Sequence, residues 1–386
     1  MLFIHAADLH LGKTLHERDI SSDQEAMLDR LLELLVEHRP AALLLAGDLY
    51  DRSIPPPEAV RLFDSFLSRA LAADPGLVVV AIPGNHDSAA RLSFGTQIMS
   101  RAGLHIRTSA ELCTECILVE RGGERAAIWP LPFLGTGAFE FPATGESPVG
   151  LRGQAELFAE AMRRIVPLLD PSVKNVLLAH CFAAGGTSSE SERAFVGMAE
   201  QVEASVFEAF DYVALGHLHR FQTVGERCRY SGSPLAYSFA EGGEPKGFVL
   251  VELKPEGGLE ARLLPIKPLH AMRALEGPFS VLSAPGAFAE YREDFIEARL
   301  SDPEAILNPA DPLRANFPNL LSVRQAAFEL SLPGSGPSTL DAGSGGPRSV
   351  IEDFALFHAE MRGEAPDAQT ATLFAGLVGE ASLETL

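Results

Sequence analysis

An α/β fold is predicted by three features of the sequence. Apolar runs of strand length each end in a turn carrying Asp, Asn or His; an amphipathic helix joins one neighbouring pair of these runs; and the same strand-to-histidine transition recurs further along the chain. The clearest unit surrounds Asp48 to His86. Ala41–Ala46 and Leu77–Ile82 are unbroken apolar stretches, read as buried strands, and they run into Gly47-Asp48-Leu49-Tyr50-Asp51-Arg52 and Pro83-Gly84-Asn85-His86-Asp87. Between them, Pro55 to Asp74 has prolines in its first turn and Val60, Phe63, Phe66, Leu67, Ala70 and Leu71 on one face, which predicts a crossover helix and hence a βαβ unit.

Composition narrows the class. The chain has 386 residues, 46% of them hydrophobic, enough for two or three domains and a large core. A formal net charge of −21 argues against a basic surface laid along duplex DNA by this chain alone; work on nucleic acid would need metal ions or a partner to neutralise phosphates. Four cysteines give no disulfide framework and point to a reducing compartment. No apolar run reaches the roughly 18 residues of a membrane span. Asp8 and His10 interrupt the apolar N-terminus too early for a signal-peptide core, and a cytoplasmic protein is expected.

In chain order, Leu2–Ala7 reads as the first strand and delivers Asp8-Leu9-His10-Leu11-Gly12. If strand conformation persists, the Asp8 and His10 side chains point the same way, and one carboxylate and one imidazole can hold one ion. A helix from about Ser22 to His38 follows, with Leu28, Leu31, Leu32, Leu35 and Val36 at helical spacing and Ser21, Ser22 and Asp23 as cap candidates; it is expected to pack on the sheet without chemistry of its own. Strands are then expected at Cys116–Glu120 and Ala126–Trp129, a Pro/Gly-rich loop at Pro130–Gly153, and a helix from Gln154 to about Val166. Val176–Ala179 runs into His180, and Tyr212–Leu215 into Gly216-His217-Leu218-His219. Between them, Ala183–Glu200 carries Gly185-Gly186 and a Ser/Glu cluster and is a candidate mobile loop near the site. Five strands thus end in Asp, Asn or His, and open α/β sheets place their sites at the carboxyl ends of strands. Gly247–Leu253 is expected as the last strand of this domain.

Taken in order, Asp8-x-His10, Gly47-Asp48, Gly84-Asn85-His86-Asp87, His180 and Gly216-His217-x-His219 resemble the five motifs of the calcineurin-like metallophosphoesterases. Details such as Asp48-Leu49-Tyr50-Asp51 and Tyr230-Ser231-Gly232-Ser233-Pro234 resemble the nuclease branch of that family. The resemblance runs from residue 1 to about 330 and fades beyond. It implies a layered α-β-β-α sandwich with a small α+β capping domain: a two-metal phosphoesterase domain over residues 1–260 and a capping, DNA-binding domain over 261–332. It also implies that Asp8, His10, Asp48 and His219 hold one ion and Asp48, Asn85, His180 and His217 the other, Asp48 being the bridge.

Two divalent ions roughly 3.5 to 4 Å apart can clamp both oxygens of an in-line phosphoryl displacement. Mixed imidazole and oxygen ligands suit manganese, with magnesium and iron as alternatives. By the same resemblance His86 protonates the leaving 3′ oxygen, Asp51 orients His86, and Arg52 meets a substrate phosphate. The implied activity is a DNA nuclease, a double-strand 3′–5′ exonuclease and single-strand or hairpin endonuclease. It would work with an SMC-like ATPase in end processing, repair and recombination, as a homodimer within a heterotetramer. A phosphatase of the same fold, acting on a phosphoprotein or nucleotide, and a non-catalytic scaffold are the alternatives. His5, His16, His38, His105, His270 and His358 match no motif and read as structural or solvated. Cys113-x-x-Cys116 has no second pair, so it reads, with Cys181 and Cys228, as small buried hydrophobes rather than a zinc site.

Residues 333–348 have the Gly/Ser/Pro composition of a linker. Beyond it, Val350, Phe354, Phe357 and Met361, and then Leu373, Phe374, Leu377 and Val378, mark two short amphipathic helices in residues 349–386. Helices so short cannot bury their own apolar faces, so they are expected to dock on the ATPase, with Phe354, Phe357, Phe374 and Leu377 as contacts.

Overall fold

The structure is a computed structural model that describes residues 1–135, 137–139, 151, 153–188, 201–326, 354–355, 358 and 365–374. The chain divides into two compact units, Met1–Ala327 and Phe328–Leu386. In the first, the apolar runs become β1 (Leu2–Ala6), the short hairpin β2 (Thr14–Leu15) and β3 (Arg18–Asp19), β4 (Ala42–Ala46), β5 (Val78–Ile82), β6 (Leu104–Ile106) and β7 (Ile117–Arg121). They continue as β8 (Glu124–Leu131), β9 (Lys174–His180), β10 (Tyr212–Gly216), β11 (Gln222–Val224), β12 (Cys228–Tyr230), β13 (Gly247–Leu253) and β14 (Leu259–Pro265). One six-stranded sheet has the order β14-β13-β1-β4-β5-β6 and the other β11-β12-β10-β9-β8-β7.

Within the first sheet β1, β4, β5 and β6 run parallel, and within the second β8, β9, β10 and β12. Parallel strands have both faces covered, so they need no polar alternation, and all five residues of β4 are buried. Phe3, Leu44, Val80 and Ile82 meet Ile128, Val176, Leu178 and Tyr212 in a core between the sheets. The first sheet's outer face is covered by α1 (Ser21–His38) and α2 (Pro57–Ala73) through Leu28, Leu31, Leu35, Phe63, Phe66 and Ala70. The second sheet is covered by the helix Gly153–Ile165 through Leu157, Phe158, Ala161 and Ile165. The result is the expected α-β-β-α sandwich, with the ends of β1, β4, β5, β9 and β10 brought together.

Several local expectations are corrected. β13 is not the last strand: β14 pairs with it antiparallel from Gly247↔Pro265 to Leu253↔Leu259, and its half-exposed, charged alternation hid it among loop residues. α1 starts at Ser21 with no side-chain cap bond; Asp19 accepts the Ser21 N–H at 3.0 Å, and Asp23 instead accepts from the main-chain N–H of His270. Val36 and Val60, expected on buried faces, are exposed.

Beyond β14, β15 (Met272–Gly277), β16 (Phe295–Leu300) and β17 (Leu320–Gln325) form a parallel three-stranded sheet. With the short helices Phe279–Leu282 and Ala310–Asn316 it encloses a core of its own around Leu282, Ile296, Ala298, Leu313 and Phe317. Most of the expected loop at Pro130–Gly153, residues 189–200 of the Ala183–Glu200 loop and the linker lie outside the described residues, as do Phe357 and Leu377. In the second unit, the Phe354 and Phe374 rings stack with centroids 3.9 Å apart and planes at 9°. Two of the aromatic residues expected as partner contacts therefore stack on each other.

Candidate metal centre

The backbone at the strand ends is strained in a consistent way. Asp8, His10, Asp48 and His217 have φ of 54°, 45°, 49° and 105°, in the left-handed region, which costs about 1–3 kcal/mol per non-glycine residue. The strand conformation therefore does not continue through Asp8-Leu9-His10, and the expected reason for their common direction fails. Pairing of two turns takes its place: the N–H groups of Asp8, His10 and Leu11 donate to the carbonyls of Gly47, Asp48 and Leu49, each at 3.0 Å. Two glycines allow the turns this close. A Cβ on Gly84 would lie 2.2 Å from Asp48 Oδ1, and one on Gly216 would lie 1.8 Å from the Ala46 carbonyl oxygen.

The polar side chains converge in two groups around Asp48. In one, His10 Nε2 lies 3.2 Å from His219 Nε2, and Asp48 Oδ2 is 3.9 Å from His10 Nε2. In the other, Asn85 Oδ1 lies 3.0 Å from His180 Nε2 and 3.2 Å from His217 Nδ1, and Asp48 Oδ2 is 3.4 Å from His180 Nε2. Asp8 is fully buried, and its carboxylate accepts the His217 main-chain N–H at 3.0 and 3.1 Å. Ligand atoms of Asp8, His10 and His219, of Asp8, Asp48 and His180, and of His10, Asp48 and His86 each fall within 4.8 Å of one another. All seven residues expected as ligands, with His86, thus lie in one place.

Residues that the sequence left without a role hold this arrangement. Asp87 ties the two central turns together, its carboxylate accepting the N–H groups of Leu49, Tyr50 and Gly84 at 2.9–3.0 Å. Its place directly after Asn85-His86 was the available signal. α1 is not inert, because Gln24 accepts from Gly12 N–H at 2.9 Å and donates to the His10 carbonyl at 2.7 Å. Glu241 accepts from His219 Nδ1 at 3.4 Å and from Lys246 Nζ at 2.7 Å. No spacing links Glu241 to the motifs. His86 Nδ1–H donates to the main-chain carbonyl of Asp51 at 2.9 Å, while the Asp51 carboxylate takes Lys13 Nζ at 2.7 Å and lies 3.4 Å from His10 Nδ1. Asp51 thus reaches His86 through its backbone rather than through its carboxylate. Arg52 is largely exposed, its Nε 3.7 Å from Asp51 Oδ2.

Burial and neighbouring charges set the protonation of these groups. Burial pushes Asp8 up to about 7, with Asp48 adding to the effect and His180 and His219 opposing it. Burial also opposes a charge on Asp48, but His180 and His10 outweigh it and hold Asp48 well below the usual carboxylate range. The same balance works in reverse at His180: burial disfavours its proton, yet Asp48 and then Asp8 carry it up to about 9. Burial lowers His10 to about 4 and His217 to about 3, so both imidazoles are neutral and have lone pairs to give.

These features fit a pair of divalent ions. Buried carboxylates and imidazoles converge, His10 and His219 nitrogen to nitrogen, and His217 Nε2 is buried with no hydrogen-bond partner among the described residues. The mixed nitrogen and oxygen set matches no all-thiolate site, and no cysteine joins a possible metal group among the described residues. Cys113, Cys181 and Cys228 are buried and all four cysteines are free thiols. His5 and His270 have structural partners, Tyr212 and Asp23. No helix among the described residues is long and apolar enough to cross a membrane.

A solved structure of TT1561 of Thermus thermophilus is similar with a TM-score of 0.41 at 14% identity, over 68% of this chain and 98% of that one. GAP50, the anchor in the inner membrane complex of Plasmodium, gives 0.40 at 11% identity, over 87% of this chain and 98% of that one. At such scores neither likeness bears on function. The SbcD component of the SbcCD nuclease of Staphylococcus saprophyticus is 28% identical over 337 residues, 86% of each chain. The family model for calcineurin-like phosphoesterases matches residues 1–221, the span that holds every strand end described above and all seven converging ligands. The chain therefore belongs to the calcineurin-like phosphoesterase family and is built as a metal-dependent hydrolase.

Proposed function

We propose that the chain is a manganese-dependent DNA nuclease, a double-strand 3′–5′ exonuclease and single-strand or hairpin endonuclease. It acts in the cytoplasm with an SMC-like ATPase of the SbcC type in end processing, repair and recombination. The observation that carries the metal chemistry is the double convergence on Asp48: His10 and His219 meet at 3.2 Å on one side, and Asn85 stands between His180 and His217 on the other. Asp8, His10, Asp48 and His219 hold one ion; Asp48, Asn85, His180 and His217 hold the second. When bound, such a pair supplies positive charge against the developing charge on the phosphoryl group and an acidified water at neutral pH.

The protein's own groups do the rest. His86 N–H donates to Asp48 Oδ1 at 2.9 Å, which keeps His86 beside the bridging carboxylate. Its Nδ1–H is fixed on the Asp51 carbonyl, so Nε2 is the free ring nitrogen, and in the imidazolium form it carries the proton given to the leaving 3′ oxygen. Arg52, exposed at the rim beside Asp51, meets a substrate phosphate. The nuclease reading over a phosphatase reading is supported by the likeness to a nuclease component over most of both chains.

Residues 1–260 carry the phosphoesterase centre, 261–332 cap it and steer DNA, and 333–348 tether the partner-binding helices of 349–386. A homodimer within a heterotetramer belongs to the same proposal, and Phe94, Ile98 and Ile54, exposed to 84%, 76% and 68%, are large apolar side chains open to solvent. Turnover of a labelled DNA hairpin and of a phosphomonoester under manganese tests the proposal. Hairpin cleavage with little monoesterase activity is expected. The reverse pattern assigns a phosphatase of the same fold, and loss of both activities in a metal-loaded protein assigns a scaffold.

A further inference from the structure

Glu241 is a buried acid with no role in the five motifs. It is 1% exposed and sits in the short turn after Tyr237, in the wall behind His219. Its carboxylate is fixed from several directions. Oε2 takes Lys246 Nζ at 2.7 Å and the Tyr237 N–H at 3.3 Å, while Oε1 takes Ser238 Oγ at 3.1 Å. Oε1 also faces His219 Nδ1 at 3.4 Å. Lys246 reinforces the same frame from the other side, donating to the His219 carbonyl at 2.6 Å and to Ser233 Oγ at 3.1 Å.

A ring with its Nδ1–H on a carboxylate has its lone pair on Nε2, and Nε2 of His219 is the atom that points at His10 Nε2 at 3.2 Å. The other half of the centre solves the same problem differently: His180 Nδ1–H donates to the Ala46 main-chain carbonyl at 2.8 Å. A backbone carbonyl cannot be removed by substitution, whereas Glu241 can. A buried Glu–Lys pair is costly to desolvate and is poor evidence of a purely stabilising role, since apolar replacements of such pairs are often neutral or stabilising.

We infer that Glu241 is the positioning residue for His219, held rigid by Lys246, the Tyr237 N–H and Ser238 so that His219 presents an unprotonated Nε2 to the ion shared with Asp8, His10 and Asp48. This rests on the proposed ligand assignment. Carboxylates that orient metal-bound imidazoles typically tune affinity by about 10- to 100-fold.

The test compares wild type, Glu241→Gln and Lys246→Met in the full chain. The His219 tautomer is read by nitrogen NMR of the metal-free protein, with His219→Gln to assign the signal, and manganese binding is read by calorimetry together with melting temperature. Wild type should carry the proton on Nδ1. Glu241→Gln should lose that fixed tautomer and weaken one of two manganese sites by about 10- to 100-fold, leaving the other unchanged. Lys246→Met keeps the carboxylate and should lose less affinity. An unchanged tautomer with two wild-type sites in Glu241→Gln overturns the inference, as do equal affinity losses in both variants that track equal falls in melting temperature. If wild type binds fewer than two ions, the ligand assignment fails instead, and the metal-free tautomer still decides the role of Glu241.

Discussion

The two halves of the centre each gather two imidazoles beside Asp48 but are supported in different ways. On the His180 side the imidazole rests on a main-chain carbonyl at the end of β4 in the other sheet, and Asn85 stands on a turn that Asp87 ties to the Asp48 turn. On the His10 side the imidazoles rest on side chains: Gln24 holds the His10 carbonyl, Asp51 approaches its ring, and Glu241 backs His219. The first half is fixed by the sheets themselves and the second by groups from α1 and from the segment before β13. Substitution should therefore empty the two halves unequally, Asp48 being the residue proposed as a ligand in both.

The largest effect is expected at Asp48. Asp48→Ala should lose both ions and nuclease activity together, because the variant removes the proposed bridging carboxylate, which lies 3.9 Å from His10 and 3.4 Å from His180. His86→Gln should keep both ions and lose about 10²- to 10⁴-fold in cleavage, the range of a general acid. Metal analysis and cleavage on the same samples separate the two; equal metal loss would make His86 a ligand, which its place beside His10 and Asp48 allows.

Next in size is Gln24→Ala. It removes two hydrogen bonds from the Leu9–Gly12 turn, each worth about 1 kcal/mol, and leaves the His180 side untouched. Calorimetry should find one manganese site weakened about 10-fold or more and the other unchanged. Equal weakening of both sites would show that the halves are not independent.

Proton release gives a smaller effect with a defined sign. As proposed ligands, Asp8 and His180 must give up their protons to metal, and burial at Asp8 and the neighbouring carboxylates at His180 raise them to about 7 and about 9. Both groups therefore keep protons near neutral pH, loading should release roughly one to two of them, and affinity should rise with pH through both values. Titrations in buffers of different ionisation enthalpy measure this number directly; no released protons would mean that the metal-free centre is already deprotonated.

The smallest effect on chemistry is expected from the tail. A chain ending at Ser331 should cleave single-stranded DNA under manganese at the wild-type rate but fail to co-purify with the ATPase. A collapse in its melting temperature, or an intact complex, would instead make residues 349–386 an internal brace or a bystander. The stacking of Phe354 on Phe374 leaves less aromatic surface for a partner than two separate anchors would.

The same contrast explains how much could be read from the sequence. Buried parallel strands are uniformly apolar and their ends carry the chemistry, so β1, β4, β5, β9, β10 and the seven converging residues were all visible as apolar runs meeting Asp, Asn or His. β14 was not visible, because a half-exposed edge strand alternates charged and small residues much as a loop does. Spatial support leaves no periodic trace either. Glu241 lies 22 residues after His219, and Gln24 is one polar residue in an amphipathic helix. The Asp8-x-His10 pairing was expected for the wrong reason: left-handed residues and turn-to-turn hydrogen bonds depend on the neighbouring strand, which a local reading does not see.

Metal content and hairpin cleavage measured on one preparation through a cycle of chelation and reloading test the two-ion centre most directly. Two manganese ions per chain should leave with the activity and restore it on return. Full cleavage after complete chelation, or full cleavage with one ion per chain, would contradict a centre bridged by Asp48.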